Sequence, residues 1–171
     1  MTRAAPTHTP LEINWPDTIS ADVMLDGWMD KTRHLYPLVV QYEDTDAGGI
    51  VYHSNYVNFA ERGRSACLRC FGVDLATWLS EHQQTFVIRR VEVDFIQPAR
   101  LSDKLIVSTR MIKAGAASGL MEQIVASAET GHIFARLHVH AAWVHLEKGP
   151  VRFPSELKGI IQALRDQTTT D

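Results

Sequence analysis

The stretch that decides the fold is Ser54-Asn55-Tyr56-Val57-Asn58-Phe59-Ala60-Glu61-Arg62-Gly63-Arg64-Ser65-Ala66-Cys67-Leu68-Arg69-Cys70-Phe71-Gly72. Within it Tyr56, Phe59, Ala60, Gly63, Ala66, Cys67, Cys70 and Phe71 recur at helical spacing and form one continuous apolar stripe. The spacing predicts a long helix, with Ser54 or Asn55 to cap its start and Gly72 to end it. The middle of the stripe is small (Ala60, Gly63, Ala66, Cys67) and its ends are bulky. Glycine in a helix interior costs roughly 1 kcal/mol relative to alanine. Gly63 therefore points to a facing surface that presses close.

Strand patterns follow the helix. Val91, Val93 and Phe95 alternate with Glu92 and Asp94 until Pro98 stops the run. Leu105, Val107, Thr109 and Met111 predict the next strand, and residues 114–119 turn the chain. Leu120, Ile124, Ala126 and Ala128 predict another, with less regular alternation. After Glu129-Thr130-Gly131, the long alternation from Ile133 to Trp143 predicts the last. Short helices are expected over Leu75–Glu81 and at Leu157, Ile160, Ile161 and Leu164. Upstream, Leu35–Tyr42 reads as a strand, Pro37 marking an edge or an irregular start. Met24, Leu25, Trp28 and Met29 suit one face of a short helix over 20–31, which Gly27 weakens. Residues 1–17 hold three prolines and read as a mobile tail. Strand, long helix, then consecutive strands argues against a doubly wound fold and for an α+β one. A single antiparallel sheet would curl around the helix, its other face needing a cover or a partner. The expected organisation is an extension over 1–33, a domain over 34–150, and a short helix and tail over 151–171.

Composition narrows the function. A chain of 171 residues suits one domain, and its 45% apolar content is ordinary. A net charge of −3, with both signs dispersed, lacks the basic footprint of a nucleic-acid binder. No apolar run approaches the roughly 20 residues of a membrane span. No apolar segment follows Arg3 as a signal peptide would require, so a cytoplasmic location is expected. Cys67 and Cys70 have C-x-x-C spacing but fall deep in the predicted helix. Redox pairs act at helix N-termini, so these read as small buried residues. No metal is expected: no second ligand pair follows them. His138 and His140 share a strand face with Arg136, and His145 has the opposite parity. Arg89-Arg90 is too short a run to imply a polyanion partner.

The run Tyr42-Glu43-Asp44-Thr45-Asp46-Ala47-Gly48-Gly49-Ile50-Val51-Tyr52-His53-Ser54-Asn55-Tyr56 resembles the signature of the 4-hydroxybenzoyl-CoA thioesterase family. It is most similar to the acyl-CoA thioesterase branch associated with the Tol-Pal system. The segments Phe59–Ser65 and Phe86–Leu101 extend the likeness, which covers roughly residues 35–150. The resemblance implies a hotdog fold, homodimers or homotetramers with active sites at the dimer interface, and hydrolysis of acyl-CoA thioesters. CoA would be part of the substrate, with no separate cofactor. An acyl carrier protein is a further candidate partner.

Thioester hydrolysis requires an anion at the carbonyl carbon and donors at the carbonyl oxygen. The family's catalytic carboxylate falls at Asp46, as nucleophile or as general base on water; the alternative is an Asx-turn before Gly48 and Gly49. Asp44, which would share a face with Asp46, reads as a turn or support residue. The family's carbonyl-polarising amide falls at His53, whose ring either lines the site or packs in the loop. Tyr52 and Asn55 are expected beside the pocket, with Gly48 and Gly49 turning the chain closely. Glu61 falls where some members carry an acyl-recognition carboxylate; an ion pair with Arg64 is the competing reading. The family's phosphate-binding turn is reduced here to Lys113, Ser118 and backbone amides. Two other classes compete: a non-catalytic module that binds acyl-CoA or an acyl carrier protein, and a hotdog dehydratase. Turnover of a thioester separates the first from a hydrolase, and an enoyl product would mark the second.

Overall fold

The computed structural model describes residues 8–165. Its elements are α1 (Ala21–Asp26), β1 (Trp28–Asp30), β2 (Arg33–Val39), α2 (Asn55–Cys70), α3 (Leu75–His82), β3 (Gln84–Phe95), β4 (Lys104–Ala114), β5 (Ser118–Ser127), β6 (Ile133–His145), β7 (Gly149–Pro150) and α4 (Ser155–Ala163). The strands form one antiparallel sheet in the order β1-β2-β4-β5-β6-β3, with β7 joined to β6. This is the expected α+β hotdog arrangement, the sheet curled around α2. Among the described residues no helix is long and apolar enough to cross a membrane.

The inner face of the sheet meets the stripe of α2. Tyr56, Phe59 and Ala60 pack with Leu105, Val107, Val125, Leu137 and Val139. A Cβ at Gly63 would stand 2.7 Å from Val107 Cγ1, so glycine sets how closely helix and sheet approach. A second inner cluster joins Cys67 to Trp143, Phe153, Leu157, Ile160 and Leu164 and fastens α4 beside the far end of α2. Cys67 lies in it, and burial pushes its thiol up to about 12. That removes the thiolate a redox pair would need.

The N-terminal segment departs from the sequence expectation. The helix predicted over 20–31 stops at Asp26, because Gly27 turns at φ 74° and the chain continues as β1. Residues 1–7 lie outside the described region, but the rest of the expected tail is docked. Leu11 is 7% exposed and packs with Trp28, Leu35, Ile106, Ile124 and Ile133 on the outer face of the sheet. The Leu11 N–H donates to Gly131 O at 2.7 Å, and Trp28 Nε1–H to Asn14 O at 2.9 Å. This covers an apolar half of the outer face. The other half is charged: Glu122 accepts from Arg110 and Arg136, each at 2.7 Å. Burial alone would raise the Glu122 carboxyl, but the two guanidinium groups hold it below the usual carboxylate range.

Gly131 has φ 70°, and a Cβ there would fall 2.1 Å from Leu11 O. Gly131→Ala should undock the N-terminal segment, at a cost of about 1–3 kcal/mol. Urea unfolding should show a lower midpoint, and limited proteolysis new cleavage before Trp28.

Candidate active site

The loop between β2 and α2 is built from backbone outward. Asp46 N–H donates to Ile50 O at 2.9 Å, and Thr45 bridges Val51. Gly49 N–H returns to Asp46 O at 3.0 Å, with Gly49 at φ 72°. Gly48 N–H donates to Asp46 Oδ1 at 2.8 Å. The Asx-turn is therefore present, and it uses one carboxylate oxygen. Oδ2 of Asp46 accepts nothing from the described residues. Asp44 has the other role: it is buried, and its Oδ2 caps Gln41 N–H at 2.8 Å. Its carbonyl accepts from Tyr52 N–H at 2.9 Å and from Asn55 Nδ2 at 3.0 Å. Asn55 thus ties the start of α2 to the loop.

These bonds shape a cleft of about 350 Å³ lined by Asp46, Tyr52, His53, Tyr56, Phe95 and Pro98, among others. The Tyr52 and His53 rings are tilted by 53° with centroids 4.3 Å apart, and His53 and Phe95 meet edge to face at 6.3 Å. The His53 amide precedes the first turn of α2 and donates to no acceptor among the described residues. Tyr56, which periodicity assigned to the core alone, also fixes the opposite wall. Its hydroxyl accepts from Ala99 N–H at 2.9 Å, and burial pushes its pKa up. Asp46, with one carboxylate oxygen unengaged, and His53, with its amide unengaged among the described residues, therefore line one cleft just before the positive end of α2.

The other expected site residues lie elsewhere in the same chain. Glu61 pairs with Arg64, as the competing reading held, at a separate apolar cavity. Arg64 is itself buried and donates to Gln123 Oε1 at 2.5 Å. Gln123 Nε2 in turn donates to Ala60 O and to Thr109 Oγ1, each at 2.9 Å. Lys113 and Ser118 line a third cleft of about 520 Å³, with Arg89, Arg90 and His140. The dipeptide Arg89-Arg90, too short a run to imply a polyanion partner, gains company through strand register. Arg90 pairs with His140, His140 with Leu120, and Leu120 with Lys113.

The chain matches the thioesterase-like superfamily over residues 40–161. It is 37% identical over 131 residues to an acyl-CoA thioesterase, YbgC, of Haemophilus influenzae, covering 76% of this chain and 95% of that protein. A probable thioesterase from Bartonella henselae superimposes with a TM-score of 0.67 at 33% identity, over 71% of this chain and 99% of that one. A 1,4-dihydroxy-2-naphthoyl-CoA thioesterase from Synechocystis shares the fold, with a TM-score of 0.72 at 22% identity over 76% and 96%. The chain belongs to the thioesterase-like superfamily, as its signature segment implied, and is a thioester hydrolase.

Proposed function

We propose that the protein is an acyl-CoA thioesterase whose reaction takes place at the Asp46 cleft. The observation that carries this is the pairing of an unengaged Asp46 carboxylate oxygen with the unengaged His53 amide in one cleft. The thioester oxygen would accept from His53 N–H near the positive end of α2, which stabilises the charge that develops there. Asp46 then acts in one of two ways. As a nucleophile it attacks the carbonyl carbon and expels CoA thiolate, leaving a mixed anhydride that water cleaves. As a general base it takes a proton from the water that attacks. Either route yields a carboxylic acid and free CoA. Tyr52 and the His53 ring would border the substrate, and Gly48 and Gly49 would keep the turn low enough for it to approach.

A second copy of the chain belongs to this reading. β3 is a 12-residue edge strand with Val87, Ile88 and Phe95 exposed. An unpaired edge of that length is a template for pairing, and two-fold antiparallel pairing would extend the sheet. The CoA phosphates would bind at Arg89, Arg90, Lys113 and Ser118. Nothing in this reading requires a cofactor, and the cytoplasm is the compartment that supplies acyl-CoA.

The test is release of free CoA thiol from a panel of acyl-CoAs by the purified protein. Turnover supports the reading; tight binding without turnover would make the protein a binding module. Replacing Arg89 and Arg90 together by Ala should raise KM for acyl-CoA roughly tenfold with little change in kcat. The penalty should shrink as salt rises, and it should vanish with an acyl-pantetheine substrate, which lacks the nucleotide.

A further inference from the structure

Packing alone does not explain the hydroxyl of Tyr56. The side chain is 3% exposed and belongs to the inner core. Its ring centroid lies 6.2 Å from that of Phe59 and 5.6 Å from that of Phe95. A phenylalanine would make the same apolar contacts. A buried hydroxyl loses its water and contributes nothing unless it is bonded. Here it accepts from Ala99 N–H at 2.9 Å, and Ala99 is itself fully buried.

That bond closes a ring of contacts around the reacting groups. Ala99 O accepts from Val51 N–H at 2.8 Å, and Ile50 bridges Arg100. Ile50 O accepts in turn from Asp46 N–H at 2.9 Å. Asp46 therefore rides on residues 50–51, and these ride on residues 99–100. On the other side, Tyr56 stands in the first turn of α2, three residues after His53. Asn55 ties the same turn to Asp44 O, just before Asp46. The carboxylate and the amide thus hang from opposite ends of one ring, and the Tyr56 hydroxyl joins those ends. Without it, Ala99 N–H is buried with no acceptor, which is costly enough to move the wall. The wall would carry Ile50, Val51 and Asp46 with it.

We propose that Tyr56 is a positioning residue for hydrolysis: its hydroxyl, acting through Ala99, sets where the Asp46 carboxylate stands relative to the His53 amide. The proposal rests on the function argued above. The phenol transfers no proton in this role. Burial pushes its pKa up, so it remains a neutral hydroxyl through the neutral range. Its effect is geometric. Attack needs the reacting atoms about 3–3.5 Å apart, and a misplacement of about 1 Å costs roughly a hundredfold in rate. Arg89, Arg90 and Lys113, proposed above for the CoA phosphates, line a different cleft, so substrate binding does not depend on the ring.

Tyr56→Phe should lower kcat for acyl-CoA hydrolysis roughly ten- to a hundredfold, with KM changed less than about twofold. Its urea midpoint should fall as well, so a variant that loses stability elsewhere is measured beside it. His34→Gln serves: His34 bonds Asp26 O, and Asp26 pairs with Arg69 in the last turn of α2. That variant should keep the kcat of the parent. A double-mutant cycle then separates placement from stability. In an Asp46→Asn background the Tyr56→Phe penalty should shrink to less than about twofold, because no carboxylate is left to place. A loss due only to a weaker fold multiplies in both backgrounds. Should Tyr56→Phe fail to fold, 3-fluorotyrosine at position 56 keeps the ring and the hydroxyl while weakening the oxygen as an acceptor. Its kcat should fall roughly two- to fivefold in the same pattern. Amide hydrogen exchange needs no turnover: Tyr56→Phe should speed exchange at Ala99, Val51 and Asp46 together and leave the amides of β5 unchanged. An unchanged kcat, a KM that rises to account for the loss, an undiminished penalty beside Asp46→Asn, or faster exchange confined to Ala99 would overturn the proposal. If the parent cleaves no acyl-CoA, the thioesterase reading fails on its own. Exchange at Asp46 still decides whether the hydroxyl places that residue.

Discussion

Asp46→Asn should lower kcat for acyl-CoA hydrolysis by about a thousandfold or more while leaving KM nearly unchanged. The substitution keeps the shape of the side chain. Its amide oxygen can still accept from Gly48 N–H, the 2.8 Å bond that fixes the turn, so the loop and the CoA contacts should survive. Only the negative charge is lost, and with it both the nucleophile and the base. Stopped-assay thiol release and a urea midpoint on the same samples separate rate from stability. The neighbouring Asp44→Asn should do the reverse. Asp44 is buried and spends its carboxylate on Gln41 N–H, so its loss should cost about 1–2 kcal/mol of stability and little rate. If Asp46→Asn is as fast as the parent, Asp46 only turns the chain, and Asp44, His53 and Glu61 become the carboxylate and histidine candidates. A second pair of variants probes the amide. His53→Ala retains the N–H and should retain most activity, whereas His53→Pro deletes it and should lose roughly a hundredfold or more.

The fold was legible where its signal was local. The stripe from Tyr56 to Phe71 is a period that any chain would show on a helix buried along one face, and α2 spans Asn55–Cys70. The alternation from Ile133 to Trp143 likewise became β6. What escaped reading depended on distant partners. Leu120, Ile124, Ala126 and Ala128 alternated poorly because β5 is buried on both faces. Val125 meets α2 on one side, and Ile124 and Ala126 meet the N-terminal segment on the other. The first part of that segment, residues 1–17, read as a tail because its prolines outweighed the few apolar residues around Leu11. The partners of Leu11, among them Trp28, Leu35, Ile106 and Ile133, lie elsewhere in the chain.

The site divided in the same way. Asp46, Tyr52 and His53 lie in one short segment, and a motif could mark them together; the structure brings all three to one cleft. The opposite wall, Phe95 to Pro98 with the Tyr56 hydroxyl on Ala99, is assembled by tertiary contact. Arg89 and Arg90 are too short a run to imply a polyanion partner from sequence, yet sheet register sets Arg90 in one row with His140 and Lys113. Gln123 gave no signal at all. A glutamine in a strand reads as solvent-facing, but here its amide satisfies Arg64, Ala60 and Thr109 in the core. Such a residue can be found only once the partners that make its burial tolerable are in place.

Acid should weaken the fold through His34. This side chain has no exposed surface, its Nε2 lies 2.6 Å from Asp26 O, and its Nδ1 has no partner. Burial is the largest cause that lowers its pKa, to about 4 from 6.5; the Asp26 carbonyl and carboxylate oppose the shift and Arg69 reinforces it. The direction of the effect follows from proton counting. In the unfolded chain His34 takes up a proton near pH 6.5, and in the folded protein only near 4. Stability from this group is therefore complete above about pH 6.5 and is lost as pH falls toward 4. The loss should reach about 1.4 kcal/mol at pH 5.5 and about 2.5 kcal/mol at pH 4.5. His34→Gln supplies the control. Its amide can donate to Asp26 O but cannot titrate, so at pH 7.5 it should cost no more than about 1–2 kcal/mol. Urea unfolding of both proteins at pH 7.5, 5.5 and 4.5 should then show the gap closing and reversing as the parent falls faster. Parallel decline would mean that His34 is not the group that acid strikes, and that carboxylates such as Glu122, held ionised between Arg110 and Arg136, carry the loss instead.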